Sequence, residues 1–141
     1  MNFCGSHRLP RAYVDPIDDS GARALFMSVL SIPPQPESVI LLLDAERCGS
    51  TMVNMAGTRH DDDIYDVAEI AAATAVACGC EAVVLASVRP GRPEDLSDAE
   101  RWLDIDERFA DVGVELVEWY VFGRGVTSPR ELIGEAARWE P

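Results

Sequence analysis

The sequence predicts a single α/β domain in which a mixed β-sheet packs against a buried central helix. With 141 residues, the chain has the usual size of one domain, and two domains would each be left with a very small core. Two short apolar runs, residues 39–43 and 82–86, are typical of buried strands. Between them, the alanine-rich residues 67–78 have the length and composition of a helix.

An N-terminal helix precedes this centre in the prediction. Asp19 or Ser20 can cap a helix that continues through residues 24–30. The prolines that follow cannot continue a helix, because proline lacks the backbone donor and restricts the residue before it. We therefore assign residues 1–36 to a helix-containing extension with a proline-rich linker, and residues 37–141 to the domain itself.

The domain begins with a predicted β-hairpin and a helix. Residues 39–43 and 51–55 are apolar runs on either side of a turn at Cys48-Gly49-Ser50, which indicates an antiparallel pair. Acidic residues then suit the positive end of a helix dipole, and Gly79 is placed to end that helix. Because residues 70–78 are apolar on every face, we expect this half of the helix to be buried against the sheet. The acidic residues are Asp61, Asp62, Asp63 and Asp66.

The C-terminal half continues as strand, helix and strand. Residues 82–86 form a buried strand, and Ser97-Asp98-Ala99-Glu100 has the form of a capping box that starts an amphipathic helix. Residues 114–122 form the longest predicted strand. Ser128-Pro129-Arg130-Glu131 then predicts a capped terminal helix with proline at its first position.

The charge balance limits the possible partners. The chain has 25 acidic residues against 12 basic ones, all of them arginine, and a net charge of −13. Such a surface repels phosphate, so the composition disfavours direct binding to nucleic acid or to anionic membranes. No apolar run reaches the roughly 20 residues that span a bilayer, and residues 1–15 show no signal pattern. We therefore expect a cytoplasmic protein, and the lysine-free composition suits a GC-rich bacterial genome or a salt-adapted organism.

A motif at the end of the second buried strand carries a family resemblance. Residues 87–100 read Ser-Val-Arg-Pro-Gly-Arg-Pro-Glu-Asp-Leu-Ser-Asp-Ala-Glu. They resemble, without a gap, the segment of a RadC-like JAB/MPN domain in which a strand ends in His-x-His-Pro-Ser-Gly and a Pro-Ser-x-x-Asp helix start supplies the third zinc ligand. In that metalloprotease family a catalytic glutamate precedes the first strand, and Glu37 stands at that place.

Further motifs extend the resemblance over residues 37–132. Leu43-Asp44 resembles the family's end of the first strand, and Gly57-Thr58 resembles its Gly-Thr after the hairpin. Residues 116–123 and 128–131 resemble its Leu-Asp-His strand and its closing Ser-x-Arg-Glu. The resemblance implies a JAB/MPN-like, that is cytidine-deaminase-like, fold. It also implies that metal-free members dimerise or dock partners, with a loose link to DNA repair.

The metal-binding positions depart from the family pattern. The two histidines are replaced by Ser87 and Arg89, and the aspartate by Glu100. Catalytic zinc generally needs three protein ligands, and arginine cannot deprotonate to become one. Without a bound metal, nothing lowers the pKa of a water for amide hydrolysis. We therefore predict no metal, no cofactor and no catalytic residues.

Arg89 can replace the missing cation in this interpretation. Its guanidinium would hold Glu37 and Glu100 by charge-assisted hydrogen bonds, which keeps the fold without the reaction. In the alternative interpretation Glu100 only caps its helix, Glu37 is solvated, and Arg89 lies on a surface loop. Both interpretations remain open from the sequence.

Two classes of function follow. The leading hypothesis is a catalytically inactive RadC/JAB-MPN-like protein that acts as a scaffold or protein-interaction subunit, with a homodimer or another protein as its partner. The alternative is a metal-independent hydrolase that uses Glu37 or Glu100 as a base with Arg89 as a clamp. A small-anion or nucleotide binder that uses Arg89, Gly91 and Arg92 belongs to the same alternative.

The other chemically notable residues are predicted to be structural. We interpret the four cysteines as reduced, packed thiols (Cys4, Cys48, Cys78 and Cys80). His7 and His60 lack any nucleophile motif. Trp102 and Trp119 fall in apolar patterns and should belong to the core. If the chain self-associates, the apolar patch should come from Trp139 and its helix or from residues 24–30.

Overall fold

A five-stranded mixed sheet organises residues 9–139, which are the residues that the computed structural model describes. The helices are α1 (Asp19–Val29), α2 (Asp63–Cys78) and α3 (Asp98–Asp111). The strands are β1 (Glu37–Leu43), β2 (Gly49–Ala56), β3 (Ala82–Val88), β4 (Glu115–Phe122) and β5 (Val126–Thr127), and a 3₁₀ turn follows at Pro129–Ile133. This arrangement confirms the predicted α/β domain.

The strand order is β2-β1-β3-β4-β5. β1 is antiparallel to both of its neighbours, whereas β3 and β4 are parallel and are connected through α3. β1 and β3 therefore lie inside the sheet and are buried on both faces, which explains their continuous apolar sequences. The predicted hairpin and the sharing of one sheet by the four longer strands are confirmed.

The sheet separates two apolar cores. Between the sheet and the α2–α3 layer, Ile40, Leu85 and Trp119 pack with the inner faces of both helices. On the opposite face, Leu41 and Val84 pack against α1 through Phe26. The helix of the predicted extension thus contributes to the core of the domain.

The burial of α2 differs from the prediction. Its inner face is buried through Val67, Ala71 and Ala75, but Ile70 is 43% exposed and Val76 is 56% exposed. Only one face of the helix meets the sheet, because the layer is one helix thick and α3 covers a single flank. The expectation that residues 70–78 are buried against the sheet is therefore confirmed for the inner face of the helix and is wrong for Ile70 and Val76.

Within residues 9–139, no helix combines the length and apolar character needed to cross a membrane.

Three helix boundaries also differ from the prediction. The cap of α1 is Asp18, whose carboxylate accepts from the backbone N–H of Gly21 at 2.8 Å. Ser97 lies in helical conformation without a capping hydrogen bond, so the capping box is not formed. The terminal helix is only the 3₁₀ turn, which ends where Gly134 adopts a left-handed conformation with φ of 71°.

The sequence does not predict β5, because a strand of two residues is too short to show a pattern.

Candidate functional site

The candidate site lies where the parallel strands β3 and β4 end. Arg89 follows β3 directly, and its backbone N–H donates to the carbonyl of Phe122 at the end of β4, at 2.8 Å. Ligands of α/β sheets commonly bind outside the carboxyl ends of the strands. Gly123 is required here, because a Cβ atom on it would lie 2.4 Å from the carbonyl oxygen of Arg92.

A buried ion pair occupies this position. Asp98, the first residue of α3, is 2% exposed, and Arg89 is 7% exposed. The guanidinium donates Nη1 to Oδ2 of Asp98 at 2.6 Å and Nη2 to Oδ1 at 3.0 Å. This bidentate geometry is the strongest form of an arginine–carboxylate contact. The carboxylate also lies in the first turn of α3, where the helix dipole favours negative charge.

Asp61 joins the pair from the loop before α2. Its Oδ1 lies 3.3 Å from Nε of Arg89, and both of its oxygens accept from Arg92, at 2.7 and 2.8 Å. The hydrogen bonds from Arg92, together with the charge of Arg89, lower the pKa of Asp61 to about 2. Asp61 therefore remains ionised throughout the physiological range.

Arg101 of α3 completes what we call the arginine–aspartate cluster. Its guanidinium bonds Asp98 at 3.0 Å, Asp62 at 2.9 Å and Asp95 at 3.2 Å. The cluster therefore neutralises each guanidinium with carboxylates and leaves none free to hold an anion. Its members are Arg89, Arg92, Arg101, Asp61, Asp62, Asp95 and Asp98.

The floor beneath Arg89 is filled by packed side chains. The guanidinium lies 5.7 Å from the ring centroid of Trp119, within cation–π range. The indole N–H of Trp119 donates to the hydroxyl of Ser87 at 2.9 Å. Beside them, the hydroxyls of Ser38 and Thr58 are 2.8 Å apart. The cavity that remains has about 10 Å³, which is roughly the space of one water molecule, and it leaves no room for a substrate.

Neither of the predicted carboxylate partners, Glu37 and Glu100, contacts Arg89, which binds Asp98 and Asp61 instead. Glu37 points to the α1 face, because side chains alternate along a strand and it shares the face of Val39 and not that of Ser38. It accepts from the backbone N–H of Ser31 at 2.8 Å and from the amide of Asn54 at 3.1 Å. Glu100 is exposed on α3. The expected pairing of Arg89 with either glutamate is wrong, as is the surface location for Arg89 and the solvated state for Glu37.

The residues predicted to bind an anion, Arg89, Gly91 and Arg92, lie close together, but both guanidinium groups are already bound by aspartates. Gly91 lies in a left-handed turn with φ of 70°, as a close backbone approach would need. Both arginines beside it, however, are held bidentately by aspartates. An anion would have to displace a carboxylate from Arg89 or Arg92.

The residues at the family's metal positions do not fit a zinc ion. Ser87 and Arg89 point to the same face of β3, but one offers a neutral hydroxyl bonded to Trp119 and the other a permanent cation. Glu100, at the third position, is exposed. In the described part of the chain, no three His, Cys, Asp or Glu side chains form a group that could hold a metal ion.

A second buried ion pair lies on the opposite face of the sheet. Glu118 of β4 is fully buried, and Arg130 of the 3₁₀ turn donates Nε to it at 2.8 Å. Burial raises the pKa of Glu118, although the charge of Arg130 opposes that shift. Nearby, the hydroxyl of Tyr120 donates to Asp19 of α1. These contacts tie the chain's C-terminal turn and α1 to β4.

The remaining predicted residues have structural positions. Cys48 and Cys80 are buried free thiols and Cys78 is an exposed one, whereas Cys4 and His7 lie outside the described residues. Trp102 and Trp119 are fully buried, as predicted. Trp139 packs against the α1-side core and belongs to no helix. His60 is exposed beside the cluster.

Sequence reasoning missed Asp61 and Asp98 as members of the site. Both lie at helix starts, where acidic residues are common for structural reasons alone. One signal was present: Asp98 and Arg101 are spaced i, i+3, which places their side chains together on α3. The partnership with Arg89 depends on how the loop returns to the end of β3, which local sequence does not specify.

No family model matches this chain, and no curated protein is similar to it in sequence.

Proposed function

We propose that this chain is a non-enzymatic, JAB/MPN-like domain that acts through contacts with other proteins. The single observation that carries the proposal is the bidentate Arg89–Asp98 pair at the end of β3. In the enzymes that the motif resembles, this is the place of the catalytic zinc. Here a fixed guanidinium supplies positive charge and cannot activate a water molecule.

Two further observations support the proposal. The cavity beside Arg89 has about 10 Å³, which is roughly the space of one water molecule, and Glu37, the counterpart of the catalytic glutamate, lies on the other face of the sheet. The mixed sheet and the order of strand, loop and helix at residues 82–111 agree with the JAB/MPN assignment. The link to DNA repair rests on the sequence resemblance alone.

Elemental analysis of the purified full chain tests this proposal. The protein should be produced with zinc in the growth medium and dialysed without a chelator. We expect well under about 0.1 zinc per chain, because the only side chains at the ligand positions are a hydroxyl, a guanidinium and an exposed carboxylate. One zinc per chain, lost together with amidase activity on chelation, would overturn the proposal.

A further inference from the structure

Within residues 9–139, no strand pairs with the outer edge of β2, and the composition of this edge is unusual. β2 is the last strand on its side of the sheet, and residues 48–58 contain neither charge nor proline. Natural edge strands normally carry such residues, because a bare edge pairs readily with another strand. The N-terminal segment approaches the first half of β2: the N–H of Tyr13 donates to the carbonyl of Gly49 at 3.0 Å, and residues 10–12 line a cavity together with residues 50–52.

The backbone groups that β2 presents outward can be assigned. The N–H of Gly57 donates to the carbonyl of Pro36 at 2.9 Å, which fixes the alternation of the β1–β2 ladder. Met52, Asn54 and Ala56 then direct their N–H and C=O groups away from β1. Within residues 9–139, these three residues have no strand beyond them to bond.

The C-terminal half of the α2 flank beside this edge is also uncharged, whereas the first turn of the helix carries Asp63 and Asp66. α3 covers the opposite flank, where the hydroxyl of Tyr65 donates to Asp104 at 2.8 Å. The free flank carries Ile70, Thr74 and Cys78 at spacings of four residues, and residues 70–80 contain no charge. The hydroxyl of Ser50 lies 3.3 Å from the thiol of Cys80, which places the end of α2 beside the start of β2.

The uncharged part of α2 runs beside the strand edge. Residues 70–78 extend about 14 Å and the 8 residues of β2 extend about 26 Å, so the uncharged part of the helix borders about half of the edge. Together they form one continuous surface, which we call the uncharged face: residues 50–56 of β2 with Ile70, Thr74, Ala77 and Cys78 of α2.

We propose that the uncharged face binds a second copy of this chain. Two copies each carry a charge of −13 and repel one another, so a surface without charge is the place where they approach at the lowest electrostatic cost. An antiparallel edge is self-complementary about a two-fold axis, which is the geometry of an isologous dimer. With the axis near Val53, Met52 of one copy and Asn54 of the other exchange backbone hydrogen bonds. The two sheets then become continuous, and Ile70 of each copy lies in the helix layer above the junction.

This inference rests on the proposed function, because it names the protein partner. The uncharged face also differs from the two apolar patches that the sequence suggested for self-association. Trp139 is packed into the domain's own core, and residues 24–30 line a separate apolar groove of about 310 Å³ through Met27 and Leu30.

Analytical ultracentrifugation of the full chain at about 5 to 200 µM tests the dimer. We expect about twice the monomer mass of 15.4 kDa in 0.15 M salt. We also expect tighter association in 0.15 M salt than at 0.01 M, because screening shortens the repulsion between copies from about 30 Å to about 8 Å. An interface made of ion pairs would show the reverse.

Matched variants locate the interface. Ile70→Glu and Thr51→Lys should weaken the dimer at least roughly tenfold, since each places a charge in an apolar contact. Leu103→Glu, on the exposed side of α3, and Val126→Lys, on β5, are controls with comparable exposure and should leave it unchanged.

Several outcomes would overturn the inference. The first is a wild-type chain that stays monomeric at about 200 µM. The second is a dimer that is lost with Met27→Glu but kept with Ile70→Glu. The third is a chain that dimerises only when residues 1–8 have been deleted. The last result would mean that the chain's own N-terminus covers β2. A monomer without zinc would refute this interface alone, whereas a dimer with one zinc per chain would refute the proposed non-enzymatic function alone.

Discussion

Replacement of Arg89 by methionine should destabilise the domain far more than the loss of a surface ion pair. The change keeps an unbranched stem over Trp119 but leaves Asp98, which is 2% exposed, without its bidentate partner. Breaking a buried pair costs roughly 3–5 kcal/mol, because the remaining charge stays buried. Arg101 still bonds Asp98 at 3.0 Å, so we expect the lower end, about 3 kcal/mol.

Urea unfolding followed by circular dichroism measures this loss. With an m-value near 2 kcal/mol/M, a loss of about 3 kcal/mol moves the midpoint down by roughly 1.5 M. Arg108→Met is the matched control, because the side chains of Arg108 and of its partner Glu69 are 44% and 64% exposed and an exposed pair contributes about 0 to 1 kcal/mol. Adding Asp98→Asn to Arg89→Met removes the unpaired charge and should recover more than half of the loss. If Arg89→Met costs no more than Arg108→Met, the Arg89–Asp98 pair contributes no more than an exposed ion pair and the reasoning is wrong.

Acid titration and aspartate substitutions at one buried and one exposed apolar residue give two further tests. Asp61 has a folded-state pKa of about 2 against an ordinary value of 3.8 for an aspartate side chain, so its ionised form contributes up to about 2 kcal/mol above pH 3.8 and loses this as the pH falls through 2. The free-energy difference between wild type and Asp61→Asn in urea titrations should therefore shrink between about pH 4 and 2, and a difference that grows there would contradict the assignment. Leu85→Asp, at a fully buried position, should abolish cooperative unfolding, whereas Val76→Asp, at 56% exposure, should change stability by less than about 0.5 kcal/mol. An equal loss of stability in the two variants would mean that Val76 is buried in the core, which contradicts its observed exposure.

Sequence patterns predicted the fold well because its elements are locally specified. The apolar runs of β1 and β3 could only be buried strands, and Gly79 ends α2 in the left-handed conformation expected of it. The patterns did not predict which apolar residues of a helix are exposed, because this depends on which other elements pack against the helix. Ile70 and Val76 are apolar in sequence, yet the described elements leave both of them exposed.

The candidate site was predicted only in part. One of the two interpretations left open by the sequence made Arg89 a cation held by carboxylates, and the structure pairs it with Asp98 and Asp61. Its partners were wrong, because the choice between Asp98 and Glu100 depends on the rotation of α3 about its axis. Glu37 was assigned to this site on family resemblance, although strand alternation from Val39 would have placed it on the opposite face.

The Arg89 guanidinium fills a cation centre between Asp98 and Asp61, and a zinc titration of the double variant Ser87→His/Arg89→His measures whether this place can hold a metal cation instead. The two substitutions remove the guanidinium and place two imidazoles on the same face of β3, beside the carboxylates that Arg89 now neutralises. We expect one zinc per chain with a dissociation constant below about 10 µM, and none in wild type or in the matched Ser87→Asn/Arg89→Asn variant. A folded histidine variant that binds no more zinc than the asparagine control would contradict the expectation that this place can hold a metal cation.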